Sequence, residues 1–314
     1  MSLALPGRGR RGSGPPFLAA FLALLPAPSR GWAQGTPGAE APQQGIVRLA
    51  FSARTLEEAN RADVAAAMKA WGVAMAREKR LALEVDVRIY DSVPAMEDAL
   101  RRERLDMVNV VTEEFAALEK AVPLSNLVVS EIGGRITEQY LLLVHNDSQP
   151  EDWKDLRGQS LVVLDTPRAS LAIPWLEVEL HRHRLPGSAR FFADVRQAPK
   201  PALAILPVFF RQAGAALVTR SGFETASELN PQLARELKVL ARSPEVIPMV
   251  GAFRASALSG AAELYRQETL GVGASRAGRQ FLNLFQADAV REIRNADLAP
   301  TLALLGEYGK INHE

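Results

Sequence analysis

Runs of apolar residues alternate with amphipathic stretches from residue 46 onward. IVRLAFS (46–52) and LEVDVRIY (83–90) are rich in β-branched and aromatic residues and predict β-strands. The stretch between them carries apolar residues at spacings of four, three and four, which places them on one face of a helix. Those residues are Val64, Met68, Trp71 and Met75.

The alternation continues along the chain in two series. Further strands are predicted at 105–111, 127–130, 136–146, 160–165, 189–195, 215–219, 237–243 and 248–254. Helices are predicted at 93–103, 112–120, 170–184, 201–212 and 221–229, and the remainder, 256–309, reads as helical. Strands that alternate with helices are typical of a parallel sheet with helices on its faces. The pattern therefore predicts two α/β series followed by a helical tail.

Composition changes this picture in two respects. The 314 residues amount to about two domains, and 47% hydrophobic with 23% charged residues is ordinary for globular proteins. The chain has no cysteine. Structural disulfides, thiolate metal sites, cysteine nucleophiles and a lipid-modified cysteine anchor are therefore excluded.

The first 33 residues have the pattern of an export signal. A basic start (Arg8, Arg10, Arg11) precedes the apolar run FLAAFLALL (17–25), and the small residues Gly31 and Ala33 occupy positions −3 and −1 of a possible cut before Gln34. A disordered basic tail is the alternative interpretation. Since Arg10 and Arg11 alone hint at twin-arginine export, the general secretory route stays open. We expect a periplasmic protein cleaved near Ala33, with residues 34–44 as a flexible lead-in.

Removal of this signal changes the charge of the chain. Residues 1–33 hold four of the 37 basic side chains and none of the 36 acidic ones, so the mature chain would carry 33 against 36, net −3. A nucleic-acid binder needs a basic surplus to displace counterions from phosphates. The sequence therefore argues against a nucleic-acid partner.

The order of the segments resembles a known family. Its carriers are IVRLAFS, EQYLLLVHNDS, DLRGQSLVVLDTPRAS, ALAILPVFFRQAGAALVTRSGFETASELNPQL, LKVLARSPEVIPMVGAF and GRQFLNLF. From about residue 46 to 309 the chain is similar to the PhnD-like phosphate, phosphite and phosphonate substrate-binding proteins of ABC importers. The resemblance implies a two-lobed type II periplasmic-binding-protein fold. That fold has two mixed sheets flanked by helices, joined by two crossing strands, with ligand held between the lobes.

Mapped onto this chain, the resemblance divides it into two lobes. Lobe one would comprise 45–142 plus 252–314, and lobe two 143–251. The crossings would fall near 140–144 and 248–252.

One turn has suitable chemistry for an anion. Thr166, Arg168 and Ser170 follow the predicted strand 160–165 and open a helix. Ligands of open α/β sheets lie beyond the carboxyl ends of strands, and N–H groups at a helix start favour anions. We expect Arg168, Ser170 and the backbone N–H groups of this turn to hold the anion. The alternative is that Ser170 only caps the helix and that Arg168 is solvated. The family normally has a serine/threonine-rich stretch here, so Arg168 is a departure.

Other strand ends supply weaker candidates. Ser52 and Arg54 follow the first strand, beside a Thr55 that could instead cap a helix ahead of Glu58. Tyr90 follows the second strand and could line the cleft, and Thr112 follows the third, with a simple N-cap as its alternative role.

In the second series the candidates are Lys200, before the helix at Pro201, and Thr219, which ends the strand 215–219. The family often has a serine–histidine pair near Lys200 and an aspartate near the start of that last strand. Both are missing here, so Lys200 would substitute as a point charge or stay a solvated loop lysine.

The sequence offers no convincing nucleophile–base set. His181 and His183 are two residues apart and cannot share a metal from one helix face. We therefore expect no enzyme, metal site or cofactor. The favoured hypothesis is a monomeric receptor that hands a small anion, a phosphonate or another oxyanion, to an ABC permease. A sensor that signals to a membrane receptor or kinase, and an enzyme on the same scaffold, are the other two hypotheses.

Overall fold

The computed structural model describes residues 44–56, 61–80, 82–148, 150–258 and 260–312. The predicted export signal, nearly all of the lead-in and Glu58 lie outside these residues. Among the described residues, no helix is long and apolar enough to cross a membrane.

Within the described ranges, the first sheet has six strands in the order β11-β4-β10-β3-β1-β2. β1 pairs in parallel with β2 and β3, whereas β10 is antiparallel to β3 and β4, and β11 is antiparallel to β4. The strands are β1 (Gln44–Ser52), β2 (Ala82–Tyr90), β3 (Met107–Val111), β4 (Leu124–Glu131), β10 (Met249–Arg254) and β11 (Ala289–Ile293).

The second sheet has five strands in the order β7-β6-β8-β5-β9. β6 is parallel to β7 and β8, and β5 is antiparallel to β8 and β9. The strands are β5 (Tyr140–His145), β6 (Ser160–Leu164), β7 (Asp194–Ala198), β8 (Ala215–Thr219) and β9 (Leu237–Arg242). Both sheets are therefore mixed, which confirms the expected fold class.

Helices cover both sheets. They are α1 (Arg61–Lys79), α2 (Val93–Arg101), α3 (Thr112–Leu118), α4 (Ala172–Arg182), α5 (Ser188–Phe191), α6 (Pro201–Phe209), α7 (Arg220–Leu229), α8 (Gln232–Glu236), α9 (Ala261–Leu270), α10 (Arg276–Leu284) and α11 (Ala299–Ile311). The predicted apolar face of α1 is confirmed, since Val64, Met68, Trp71 and Met75 are all buried. The Trp71 ring packs edge-on against Tyr265 of α9, with ring centroids 5.2 Å apart.

Two segments connect the sheets, 132–139 and 243–248, and we call them the crossing segments. They pair through one antiparallel bridge, in which Glu138 N donates to Val246 O at 2.7 Å and Val246 N to Glu138 O at 2.9 Å. These positions differ from the expected crossings at 140–144 and 248–252. Tyr140 to Val144 belong entirely to the second sheet, and Met249 onward to the first.

The C-terminal region differs from the sequence-based expectation in two ways. Residues 289–293 form a strand, β11, within the tail that was expected to be helical. α11 packs against α4, and Leu304 joins the apolar core of the second sheet. The last helix thus covers the second sheet, although it was expected in lobe one.

One further strand was placed wrongly. Residues 189–195 were expected to be a strand, but Ser188–Phe191 is helical and β7 begins only at Asp194. Glu177 of α4 accepts hydrogen bonds from the backbone N–H and the hydroxyl of Ser188. That long-range contact fixes the first turn of α5 and is not visible in the local pattern.

Candidate functional site

The strand ends of both sheets meet at the second crossing segment. Thr112 N, after β3 of the first sheet, donates to Pro248 O at 2.9 Å. Ser170 Oγ, after β6 of the second sheet, makes a long hydrogen bond of 3.4 Å to the same oxygen. Two residues predicted for the site from opposite sheets are therefore neighbours across one carbonyl.

The turn between β6 and α4 is largely satisfied by its own atoms. Residues Pro167–Ala169 form a 3₁₀ turn, in which Ala169 N donates to Thr166 O at 2.9 Å and Ser170 N to Pro167 O at 3.3 Å. Their backbone N–H groups are consequently committed inside the turn. This contradicts the expectation that they converge on a ligand. Ser170 does not cap α4 either, because the N-cap is Leu171.

The buried side chain of Tyr140 holds this turn in place through hydrogen bonds. Its hydroxyl donates to Arg168 O at 3.0 Å, and the Leu171 backbone hydrogen-bonds the same phenol. Complete burial raises the pKa of Tyr140 well above its usual value. The phenol therefore stays protonated and acts as a neutral anchor for the turn.

The Arg168 side chain is paired with a buried carboxylate rather than solvated. Its Nε and Nη2 donate to Glu138 Oε2 at 3.2 and 3.0 Å, and its side chain keeps 23% of its surface exposed. Nη1 has no protein partner among the residues that the structure describes. One edge of the guanidinium thus faces a buried carboxylate while another remains available.

Glu138, on the first crossing segment, is the residue that sequence analysis missed. Its side chain is 1% exposed and accepts from Arg168, from Ser221 Oγ and N, and from Gln139 N. The only signal in the sequence was an acid near the start of the predicted strand 136–146. No local pattern reveals a partner thirty residues away.

The start of α7 is tied to both crossing segments. Arg220 pairs with Glu245, which also accepts from Thr137, and Arg135 pairs with Glu224. Burial alone would raise the pKa of Glu245, but hydrogen bonds from Arg220 and Thr137 outweigh it and hold that pKa below its ordinary value. Hydrogen bonding to Glu245 likewise raises the pKa of Arg220. At this end of the second sheet, a network of ion pairs therefore connects α7 to the two crossing segments.

Two predicted threonines have committed hydroxyls. Thr112 is fully buried and its hydroxyl donates to Ile247 O. It is the first residue of α3, whose N-cap is Val111, so the N-cap alternative is wrong. Thr219 caps α7, accepting from Gly222 N at 3.1 Å.

The turn after β1 contains charged groups as well. Ser52 Oγ donates to Glu114 Oε1 at 2.9 Å and accepts from Arg54 N at 3.2 Å. Arg54 Nη1 lies 2.9 Å from Glu113 Oε2, and both side chains are 43% exposed. Thr55 donates to Ser52 O at 2.7 Å. Glu114 is buried, and its Oε2 has no hydrogen-bond partner among the residues that the structure describes.

The remaining predicted residues differ in exposure. Thr166 is buried and makes no capping hydrogen bond. Tyr90 is half-buried at the end of β2 and packs against the first sheet's core. Lys200 is exposed before α6 and has no side-chain partner within the described part of the chain.

Sites elsewhere fit the expected chemistry poorly. A cavity of about 870 Å³ lies at the opposite end of the second sheet, where it is lined by residues such as His145, Ser160 and Gly214. Over the described residues, no cluster of three or more metal-ligating side chains occurs. The strand ends at the crossing segments therefore stay the candidate site.

Residues 58–298 match the family described as ABC transporter, phosphonate, periplasmic substrate-binding protein. The chain belongs to this family. The family assignment favours transport over the signalling hypothesis, and its members are binding proteins rather than enzymes. A search of curated proteins finds no significant match.

Solved structures of low sequence identity share the fold. A Xanthomonas citri protein with a bound chloride ion is 17% identical, with TM-score 0.63 over 85% of this chain and 99% of that one. PhnD1 from Prochlorococcus marinus in complex with methylphosphonate is 12% identical, with TM-score 0.57 over 84% and 98%. A binding protein of an ABC phosphonate transporter from Pseudomonas aeruginosa is 13% identical, with TM-score 0.55 over 86% and 88%.

Proposed function

We propose that this periplasmic binding protein captures a small oxyanion between its two sheets and delivers it, as a monomer, to the permease of an ABC importer. A phosphonate, a phosphate-like ion or another singly or doubly charged oxyanion fits this role. The observation that carries the proposal is the meeting of strand ends from both sheets at Pro248 O. Because the crossing segments connect the two sheets at this point, a ligand bound here contacts both and favours closure.

The cations at these strand ends support an anionic ligand. Arg168 offers Nη1 and Lys200 an exposed ammonium from the second sheet, with the Ser170 hydroxyl between two backbone segments. Arg54 and Tyr90 would complete the site from the first sheet. Thr112, Thr219 and Ser52 shape the strand ends, since their hydroxyls are engaged within the protein. Charge-assisted hydrogen bonds from Arg168 would supply most of the affinity.

The export signal at residues 1–33 belongs to this proposal. An importer receptor must reach the periplasm, and the basic start, apolar run and small residues before Gln34 fit that requirement. N-terminal sequencing of the protein purified from the periplasm should begin near Gln34.

A thermal-shift screen tests the function. The purified chain is heated with phosphate, phosphite, methylphosphonate, alkyl sulfonates and carboxylates. A ligand at 100 times its Kd adds about 2.7 kcal/mol of stability and clearly raises Tm.

The matched variants are Arg168→Gln and Arg196→Ala. Arg168→Gln should weaken the hit at least about tenfold, since a charge-assisted hydrogen bond contributes about 1.5–3 kcal/mol. Arg196 is an exposed arginine of the edge strand β7, paired with Asp194, and its loss should leave binding unchanged. Equal loss in both variants, or no stabilisation by any oxyanion, would contradict the proposal.

A further inference from the structure

Five hydrogen bonds converge on the buried carboxylate of Glu138. Oε2 accepts from Arg168 Nε and Nη2 and from Ser221 Oγ. Oε1 accepts from Gln139 N at 3.0 Å and from Ser221 N, in the first turn of the ten-residue helix α7, at 3.3 Å. A guanidinium, a hydroxyl and backbone N–H groups are the donors that proteins use to bind free oxyanions.

Several other donors at the ends of β6 and β8 are already engaged within the described part of the chain. The N–H groups of Ala169 and Ser170 are bonded inside their own turn, and Thr219 is engaged in capping. A ligand oxyanion at this end of the second sheet would therefore compete for the donors that already bind the Glu138 carboxylate.

We propose that Glu138 is an internal oxyanion. Its carboxylate occupies the hydrogen-bond donors of Arg168, Ser221 and Gln139, competes with the ligand for them and selects against doubly charged oxyanions. This inference rests on the proposed function and concerns the same site. It assigns Glu138 as the residue that determines specificity. An anion bound at the free edge of Arg168 lies one guanidinium away from a carboxylate whose side chain is 1% exposed.

The charge of the ligand decides how strongly this competition acts. Coulomb energy scales with charge, so a doubly charged ion feels twice the repulsion from Glu138 that a singly charged ion feels. Doubling a free energy squares the corresponding ratio of affinities. Removal of the Glu138 charge should therefore raise the affinity for a doubly charged phosphonate by the square of the factor by which it raises the affinity for a singly charged sulfonate or carboxylate of the same size.

Removal of the charge at position 138 tests this. We would titrate the purified chain and Glu138→Gln calorimetrically with methanesulfonate and methylphosphonate, which are similar in shape and differ in charge at about pH 8. Glu138→Gln should bind methanesulfonate about tenfold and methylphosphonate about a hundredfold more tightly. Glu138→Asp has a side chain one methylene shorter, which withdraws the carboxylate from these donors. It should give a smaller increase in affinity, again larger for methylphosphonate than for methanesulfonate.

Glu245→Gln is the matched control. Glu245 is a glutamate of the other crossing segment, paired with Arg220 and 45% exposed in its side chain. Its neutralisation should change either affinity by less than about threefold. A parallel melting curve identifies a variant that has not folded, and Glu138→Asp then decides alone.

The outcomes separate the two proposals. Tighter binding of both ions by Glu138→Gln than by the native chain, with the larger gain for methylphosphonate, supports the internal oxyanion. Native binding with unchanged or weaker affinity in both Glu138 variants overturns it and leaves the proposed function intact. Equal gains for the two ions overturn the charge selection. No binding by any form overturns both.

Discussion

The two sheets carry similar turns in different electrostatic surroundings. Each has a parallel strand that ends in a 3₁₀ turn with a central arginine: Arg54 in Ala53–Thr55 after β1, and Arg168 in Pro167–Ala169 after β6. Arg54 pairs with Glu113 at the surface, whereas Arg168 pairs with the buried Glu138. Water screens the first pair and not the second. A similar turn therefore carries an exposed ion pair in one sheet and a largely buried ion pair in the other.

The largest difference between the turns should appear when Arg168 is removed. Arg168→Ala leaves a buried carboxylate without its cation and should lower the free energy of unfolding by about 3 kcal/mol. Urea unfolding measures this. The joint replacement of Arg168 by Met and Glu138 by Leu should cost less than Arg168→Ala alone, because no uncompensated charge remains. A double variant less stable than Arg168→Ala would mean that the hydrogen bonds, and not the charge, carry the effect.

The first sheet should depend on the crossing through Thr112. Thr112→Val keeps the shape of the side chain and loses the hydrogen bond to Ile247 O, so the free energy of unfolding should fall by about 1–2 kcal/mol. Thr225, exposed on α7, provides the control, and Thr225→Val should change stability by less than about 0.5 kcal/mol. Urea unfolding of both variants tests the prediction, and equal losses would contradict it.

Tyr140 should stabilise the second turn in a way that depends on pH. Tyr140→Phe removes a buried hydroxyl bonded to Arg168 O and should cost about 1 kcal/mol near neutral pH. Burial raises the pKa of this phenol, so the folded chain retains a proton that the unfolded chain loses near pH 10. The stabilisation is full below about pH 10 and is lost as pH rises further.

The free energy of unfolding, measured at about pH 9 and about pH 11, tests whether stability falls as the pH rises. The native chain should lose more stability over that interval than Tyr140→Phe does. Burial also raises the pKa of Tyr265 in α9, so Tyr265→Phe should reduce the loss similarly. A loss that is the same in the native chain and both variants would place its origin outside these tyrosines.

The smallest effect is expected for the surface turn. Arg54→Ala should change the free energy of unfolding by less than about 0.5 kcal/mol, because exposed ion pairs contribute little. Added salt should reduce even this difference. Urea unfolding at low and high salt provides the measurement. A loss as large as that of Arg168→Ala would abolish the distinction between the two turns.

The interior of each strand–helix series was predictable because its pattern is local. The α1 face and the strands β1, β2, β6 and β8 follow from apolar periodicity, and Trp71 is buried as its position on that face predicts. Phe210 ends the apolar run of α6, yet it is 61% exposed just beyond the last residue of that helix. A short apolar run predicts burial without telling which residue at its end faces water.

β11 shows why the helical tail was misjudged. Its five residues include Arg291 and Glu292, both exposed, so the segment lacks an apolar signature. Pairing with β4 makes it a strand, and Arg291 forms a cross-strand ion pair with Glu131. Tertiary pairing overrides weak local preference at a sheet edge.

The sequence by itself determined the alternation of elements, the family and the strand ends where ligand chemistry gathers. Periodicity, composition and turn residues are local or sequential properties, and they survive in the unfolded chain. Only the tertiary structure decided what each polar side chain faces. Arg168 was expected either to bind an anion or to be solvated, and in the structure it pairs with Glu138. Burial and partner choice depend on contacts between residues distant in sequence, and these contacts convert a surface arginine into half of an internal ion pair.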